Sequence, residues 1–123
     1  AERPLRDQER VRFHMAIICL CLCGGEKLRA WRTPSSFIAG TAPDKRYLAS
    51  ASISKNGRLF VYGGCGGAGR LSDLFEINLP RLQWTSLSDS ALGDPPPGSC
   101  GAAMAYLNET LFIFGGLGNQ GLL

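Results

Sequence analysis

A single histidine, His14, is all the imidazole that this 123-residue chain holds. Nucleophilic hydrolysis by a Ser or Cys normally needs that ring as base, oriented by an acid. His14 lies in the stretch with the weakest pattern, so no triad and no catalytic residue is expected. Apolar runs are short as well. Residues 15–23 are the candidate, nine apolar positions where a bilayer span takes about 20, so no membrane partner is expected. As the core of a signal peptide starting at Met15 the segment would have almost no charged leader, and a buried strand is the simpler reading. Charge of one sign is scarce too. The net charge is +3, with Arg3, Arg6, Arg10 and Arg12 crowded into the first 12 residues and the rest scattered. Nucleic acid would ask for a basic stripe on one face, so none is expected as a partner.

Cysteine is present but badly spaced for a framework. Cys19, Cys21, Cys23, Cys65 and Cys100 make an odd count, which does not pair off into disulfides. A zinc site normally uses two pairs at short spacing, and His14 is poorly placed to complete one, so no metal and no cofactor is expected. The cysteines read as small buried hydrophobes in a reducing, cytoplasmic compartment. Asp73 and Glu76 stand three apart, and on a strand they face opposite sides, which excludes a working carboxylate pair. Asp73 is expected to cap backbone donors at the edge of the sheet. The glycine-rich run 63–69 has no Lys-Ser/Thr and no helix after it, so it is no phosphate loop.

What the chain has in excess is glycine. Sixteen residues are glycine and seven are proline, about twice the usual glycine share of roughly 7%. Apolar runs broken by turn-formers point to many short strands. Laid against itself, the chain repeats. Leu59-Phe60-Val61-Tyr62-Gly63-Gly64 matches Leu111-Phe112-Ile113-Phe114-Gly115-Gly116 at an offset of 52, and Asn56 falls on Asn108. At the same offset the segment 43–51 lies over 95–103, which sets Gly98 where Arg46 stands. Trp31 and Trp84 are 53 apart, so one insertion or deletion separates them from register. A period near 50 belongs to propeller blades and not to helical solenoids.

Within a period, strands are predicted near 49–54, 59–62, 73–79 and 84–87, and in the next copy near 101–106 and 111–114. Asn56-Gly57 predicts a type I′ hairpin turn, and 65–72 a glycine-rich loop. Gly63-Gly64 ends the second strand at a place where any Cβ would block a neighbouring backbone. Four strands per period make one antiparallel sheet.

In this order and spacing the landmarks resemble the Kelch repeat family. The resemblance rests on Gly63-Gly64 after an apolar strand, Asp73-Leu74-Phe75, Trp84 about 20 residues on, and Pro43-Asp44-Lys45-Arg46, with Gly115, Gly116 and Trp31 marking further copies. It covers roughly 31–116. It implies an all-β, partial Kelch-type β-propeller of four-stranded antiparallel blades, with Trp31 and Trp84 packed between blades. Two blades do not close a propeller, which takes 4–8, so the chain reads as a piece of a longer protein with more blades. Residues 31–123 are taken as about two Kelch blades. Residues 1–30, with only six positions from Gly25 to Trp31, are a degraded blade or a foreign N-terminal segment.

The resemblance implies a non-enzymatic module that presents loops to a partner protein. The loops 32–48, 65–72 and 88–100 fall at one end of the blades, and Arg46, Tyr47 and Arg70 are the residues there with reach and charge. In some family members an arginine of the Pro-x-x-Arg element reaches an acidic partner peptide, a role carried here onto Arg46. Against it stands an arginine that braces its own loop. The alternative class is a fragment of a propeller enzyme resembling galactose oxidase, whose copper takes tyrosine and histidine ligands. Tyr47, Tyr62 and Tyr106 exist, but no histidine accompanies them.

Overall fold

The computed structural model describes residues 19–22, 29–32 and 38–123, in two compact units, Ala1–Ile38 and Ala39–Leu123. In the first unit, β1 (Cys19–Leu22) pairs antiparallel with β2 (Arg29–Arg32), Leu20 opposite Trp31. His14, Cys23 and Gly24-Gly25 lie outside the described residues.

In the second unit the chain is all strand and turn, with no helix among the described residues. The elements are β3 (Ser50–Ile53), β4 (Arg58–Tyr62), β5 (Cys65–Gly66), β6 (Gly69–Arg70), β7 (Leu74–Asn78), β8 (Gln83–Ser86), β9 (Ser99–Cys100), β10 (Ala103–Leu107), β11 (Thr110–Phe114), β12 (Leu117–Gly118) and β13 (Gly121–Leu122). Strands β3, β4, β7 and β8 lie in that order in one antiparallel sheet, a complete blade. Strands β10 and β11 form the hairpin that opens the next. The main strands fall within two residues of the predicted positions. The run 65–72, expected as plain loop, instead folds back as the tight hairpin of β5 and β6, and β12 and β13 repeat it.

The two copies differ at the hairpin turn, and here the expectation needs correction. At Asn56-Gly57 only Gly57 has positive φ, at 77°. The Gly57 amide donates to the Ser54 carbonyl, the Ser54 amide to the Arg58 carbonyl, and the Arg58 amide to Ser54 Oγ. That is a type I turn closed by a bulge at glycine, one residue longer than type I′. The type I′ turn is in the second copy, at Asn108 and Glu109, with φ of 49° and 58°. Ser50 faces Tyr62, but Ala103 faces Phe114. Upstream of the turn the true offset is therefore 53, as for Trp31 and Trp84, and downstream it is 52. The missing residue is the bulge. By this register Ser99, and not Gly98, occupies the place of Arg46.

The core is Phe60, Tyr62, Ile77, Trp84 and Cys100. Trp84 faces the fully buried Ile77 across the sheet, and its amide donates to the carbonyl of Ala39, which covers the outer edge of β8. Phe60 stacks on Tyr106 of the next hairpin at 5.5 Å, and Ser50 Oγ donates to the Ala102 carbonyl at 2.6 Å, so the blades are joined by both ring contact and hydrogen bond. Burying rings of this size contributes about 1.5–3 kcal/mol each.

Glu76 is buried on the same face and would be costly alone. Arg58 meets it with two hydrogen bonds, at 2.5 and 2.8 Å, and lies over the Phe60 ring. Bonding to that guanidinium holds the Glu76 carboxyl below its ordinary pKa, against the opposing effect of burial. A depressed carboxylate stabilises fully above its unfolded pKa, about 4.3, and that part is lost as pH falls through the lower folded value. Because Arg58 is 41% exposed, the pair is worth only about 1 kcal/mol. Glu76→Gln is expected to flatten the acid limb of a plot of melting temperature against pH below about pH 5.

Candidate protein-binding site

The strands run between two ends. At one, the hairpin turns at 54–57 and 108–109 stand beside a groove of about 290 Å³. At the other, three loop segments converge. Tyr47 and Cys65 exchange backbone hydrogen bonds at 3.0 and 2.8 Å. The Gly64 amide donates to the Ser99 carbonyl at 2.8 Å, the Ser99 amide to Leu71 at 3.1 Å, and the Gly101 amide to Leu48 at 2.9 Å. The Tyr62 hydroxyl reaches the carbonyls of Pro96 and Pro97 at 3.2 and 3.0 Å. The double glycine makes this crossing possible. Gly63 and Gly64 have φ of 63° and 96°, and a Cβ on Gly63 would lie 2.7 Å from the Ser99 carbonyl oxygen.

Of the three residues expected to contact a partner, two face outward or lie near the surface and one does not. Tyr47 is 66% exposed. Arg70 is half-buried on β6, its Nε buried without a hydrogen-bond acceptor. It pairs with Cys65 across the β5–β6 hairpin, and Cys65 pairs in turn with Tyr47, which places it at the same convergence. Arg46 turns inward. Its side chain is 4% exposed and forms a double hydrogen bond to Asp73, at 2.5 and 3.0 Å, with a further bond to the Gly63 carbonyl. The guanidinium also lies 5.6 Å from the Phe75 ring centre. The Asp73 carboxylate, expected to cap backbone donors, is taken up by this arginine; only the Asp73 backbone carbonyl receives an amide, from Gly63. The ion pair clamps the loop before β3 to the loop before β7.

Leu48 escaped the sequence reading. It is 60% exposed, next to Tyr47, and held at φ 54°, a left-handed conformation that costs a leucine energy. No period-two pattern marks it, because it lies outside the strands. Leu117 of β12 is 39% exposed and pairs with Cys100, the residue before the Gly101 that bonds to Leu48. The three tyrosines do not assemble. Tyr62 is buried at the loop end, Tyr106 lies near the hairpin turn, and Tyr47 is on the surface.

A family model, the KLHDC2/KLHL20/DRC7 Kelch-repeats domain, matches residues 20–123. The chain belongs to the Kelch-repeat family. Several relatives match part of the chain. The Rab9 effector protein with kelch motifs of Xenopus laevis is 31% identical over 72% of this chain and 24% of its own length. Host cell factor 1 of Homo sapiens is 31% identical over 75% of this chain and 4% of its own length. The Rho GTPase-activating protein gacHH of Dictyostelium discoideum is 35% identical over 60% and 5%. The Kelch chain thus spans a quarter or less of each of these relatives.

Proposed function

We propose that this Kelch domain is a non-enzymatic interaction module that holds a partner protein at its loop end, through Tyr47 and Leu48 flanked by Arg70. The observation that carries the reading is the division of labour between strand and loop. The strands bury Phe60, Tyr62, Ile77 and Trp84, while the loops, tied together by backbone bonds, leave a tyrosine and a leucine in water. Tyrosine and arginine are the side chains that most often anchor interfaces. The half-buried Arg70 guanidinium at this end favours a partner that is acidic or mixed in charge. The Rab9 effector relative, an effector by name, supports a role in protein contact. A cytoplasmic setting fits an odd count of five cysteines, with Cys65 and Cys100 as free thiols.

Further blades complete the module under this reading. Phe112 and Phe114 are 56% and 81% exposed, yet they hold the positions of Phe60 and Tyr62, which are 4% and 2% exposed under the next hairpin. A further repeat stacked on β10 and β11 covers them in the same way.

The test is affinity capture from cells with quantified recovery. The double variant Tyr47→Ala, Arg70→Ala is expected to lose at least tenfold of one or more proteins held by the parent, with melting temperature unchanged. Lys55→Ala, Glu109→Ala, at the opposite end, is expected to keep them. The reverse pattern would move the contact to the hairpin end.

A further inference from the structure

We propose that Cys65 and Cys100 form a cross-linking site, at which a small-molecule disulfide such as oxidised glutathione drives a bond that staples the first blade to the second. Both are free thiols, one half-buried and one buried. They come from different repeats, but the residues directly before them, Gly64 and Ser99, are joined by a hydrogen bond of 2.8 Å. The third strand of the crossing holds them on the other side, with Tyr47 bonded to Cys65 and Leu48 to Gly101. A disulfide accepts Cα atoms about 4.4–6.8 Å apart, and the bond between the residues directly before the two cysteines holds their backbones side by side. Cys100 is further fixed by a contact of 3.7 Å from its Sγ to the Leu117 carbonyl. The Cys65 thiol is raised in pKa, first by the influence of the Cys100 thiol and then by burial. That neighbour is the sulfur the reaction needs.

The exchange balances in two steps. The Cys65 thiolate attacks one sulfur of the glutathione disulfide, that bond breaks, and one glutathione thiolate leaves. Cys100, deprotonated, then attacks the Cys65 sulfur of the mixed disulfide, and the second glutathione thiolate leaves. Two electrons pass from the protein to glutathione, and the two thiol protons end on the departing thiolates. Since only the thiolate attacks, a raised Cys65 pKa makes the first step slow at neutral pH and faster in base.

The experiment treats the whole chain with oxidised glutathione at pH 7 and pH 9, blocks remaining thiols by alkylation, and digests with trypsin without reduction. The expected product joins peptide 59–70 to peptide 82–123, lighter by two hydrogens than the two together. It forms about tenfold or more faster at pH 9, and neither Cys65→Ser nor Cys100→Ser yields it. Closure is expected to raise the melting temperature by about 5 °C or more, reversed by dithiothreitol. Cys65→Ser, at the less buried position, keeps the control valid if Cys100→Ser does not fold. Recovery of both thiols as alkylated, of Cys65 only as a glutathione adduct, or of Cys65 joined to peptide 13–27 would overturn the proposal.

Discussion

Gly64→Val is expected to cost about 2–4 kcal/mol, far more than a typical surface change. At φ 96° the backbone already excludes a β-branched residue. An added Cβ would lie 2.9 Å from the Tyr47 carbonyl oxygen and 3.0 Å from the Ala49 nitrogen. Neither atom can move freely, because Tyr47 is bonded on both sides to Cys65 and the next residue, Leu48, to Gly101. Gly67→Ala is the matched control: no atom lies within 4 Å of the Cβ it would add, and its effect is expected within about 0.5 kcal/mol. Urea midpoints of the two variants make the comparison. Equal midpoints would show the double glycine to be ordinary loop.

Arg46→Ala is expected to cost about 2–4 kcal/mol, at the lower side of what breaking a buried ion pair costs, because the Asp73 side chain is 32% exposed. The loss combines three effects: an unpaired carboxylate, an unbonded Gly63 carbonyl, and a cation removed from the Phe75 ring. Arg46→Lys is expected to recover only part, since a single ammonium cannot span both carboxylate oxygens. Asp73→Ala alone is expected to cost less, and the double variant less than the sum by at least about 1 kcal/mol. Four urea curves give the coupling. Additive losses would free Arg46 for a partner, and an arginine serving a partner alone would leave the midpoint unmoved.

The scaffold was legible because it is written in local signals. The double glycines, the apolar runs before them and Trp84 lie at fixed spacing, and each maps onto a strand end or a buried position. The hairpin turns were not, although both contain asparagine. In the first, Ser54 supplies a side-chain acceptor and Gly57 a left-handed backbone, and together they favour a bulge; in the second, Glu109 takes positive φ with no glycine to announce it. A one-residue difference in turn length then shifted the alignment of everything upstream, including the counterpart of Arg46. The site was legible only in part. Its loops could be assigned to one end from strand order, but Arg46 finds Asp73 27 positions away. Charge pairing at that distance follows from the fold and leaves no periodic trace. Leu48 and the neighbouring Cys65 and Cys100 were hidden for the same reason.

The most direct measurement places a photo-activated cross-linking amino acid at Tyr47, at Leu48 and, as the opposite-end comparison, at Asn56, and reads covalent adducts to other proteins in cells. An interaction module working through its loop end predicts the same adducts from positions 47 and 48, absent from 56 and lost when Arg70→Ala is added. Adducts from 56 with none from 47 or 48 would contradict it.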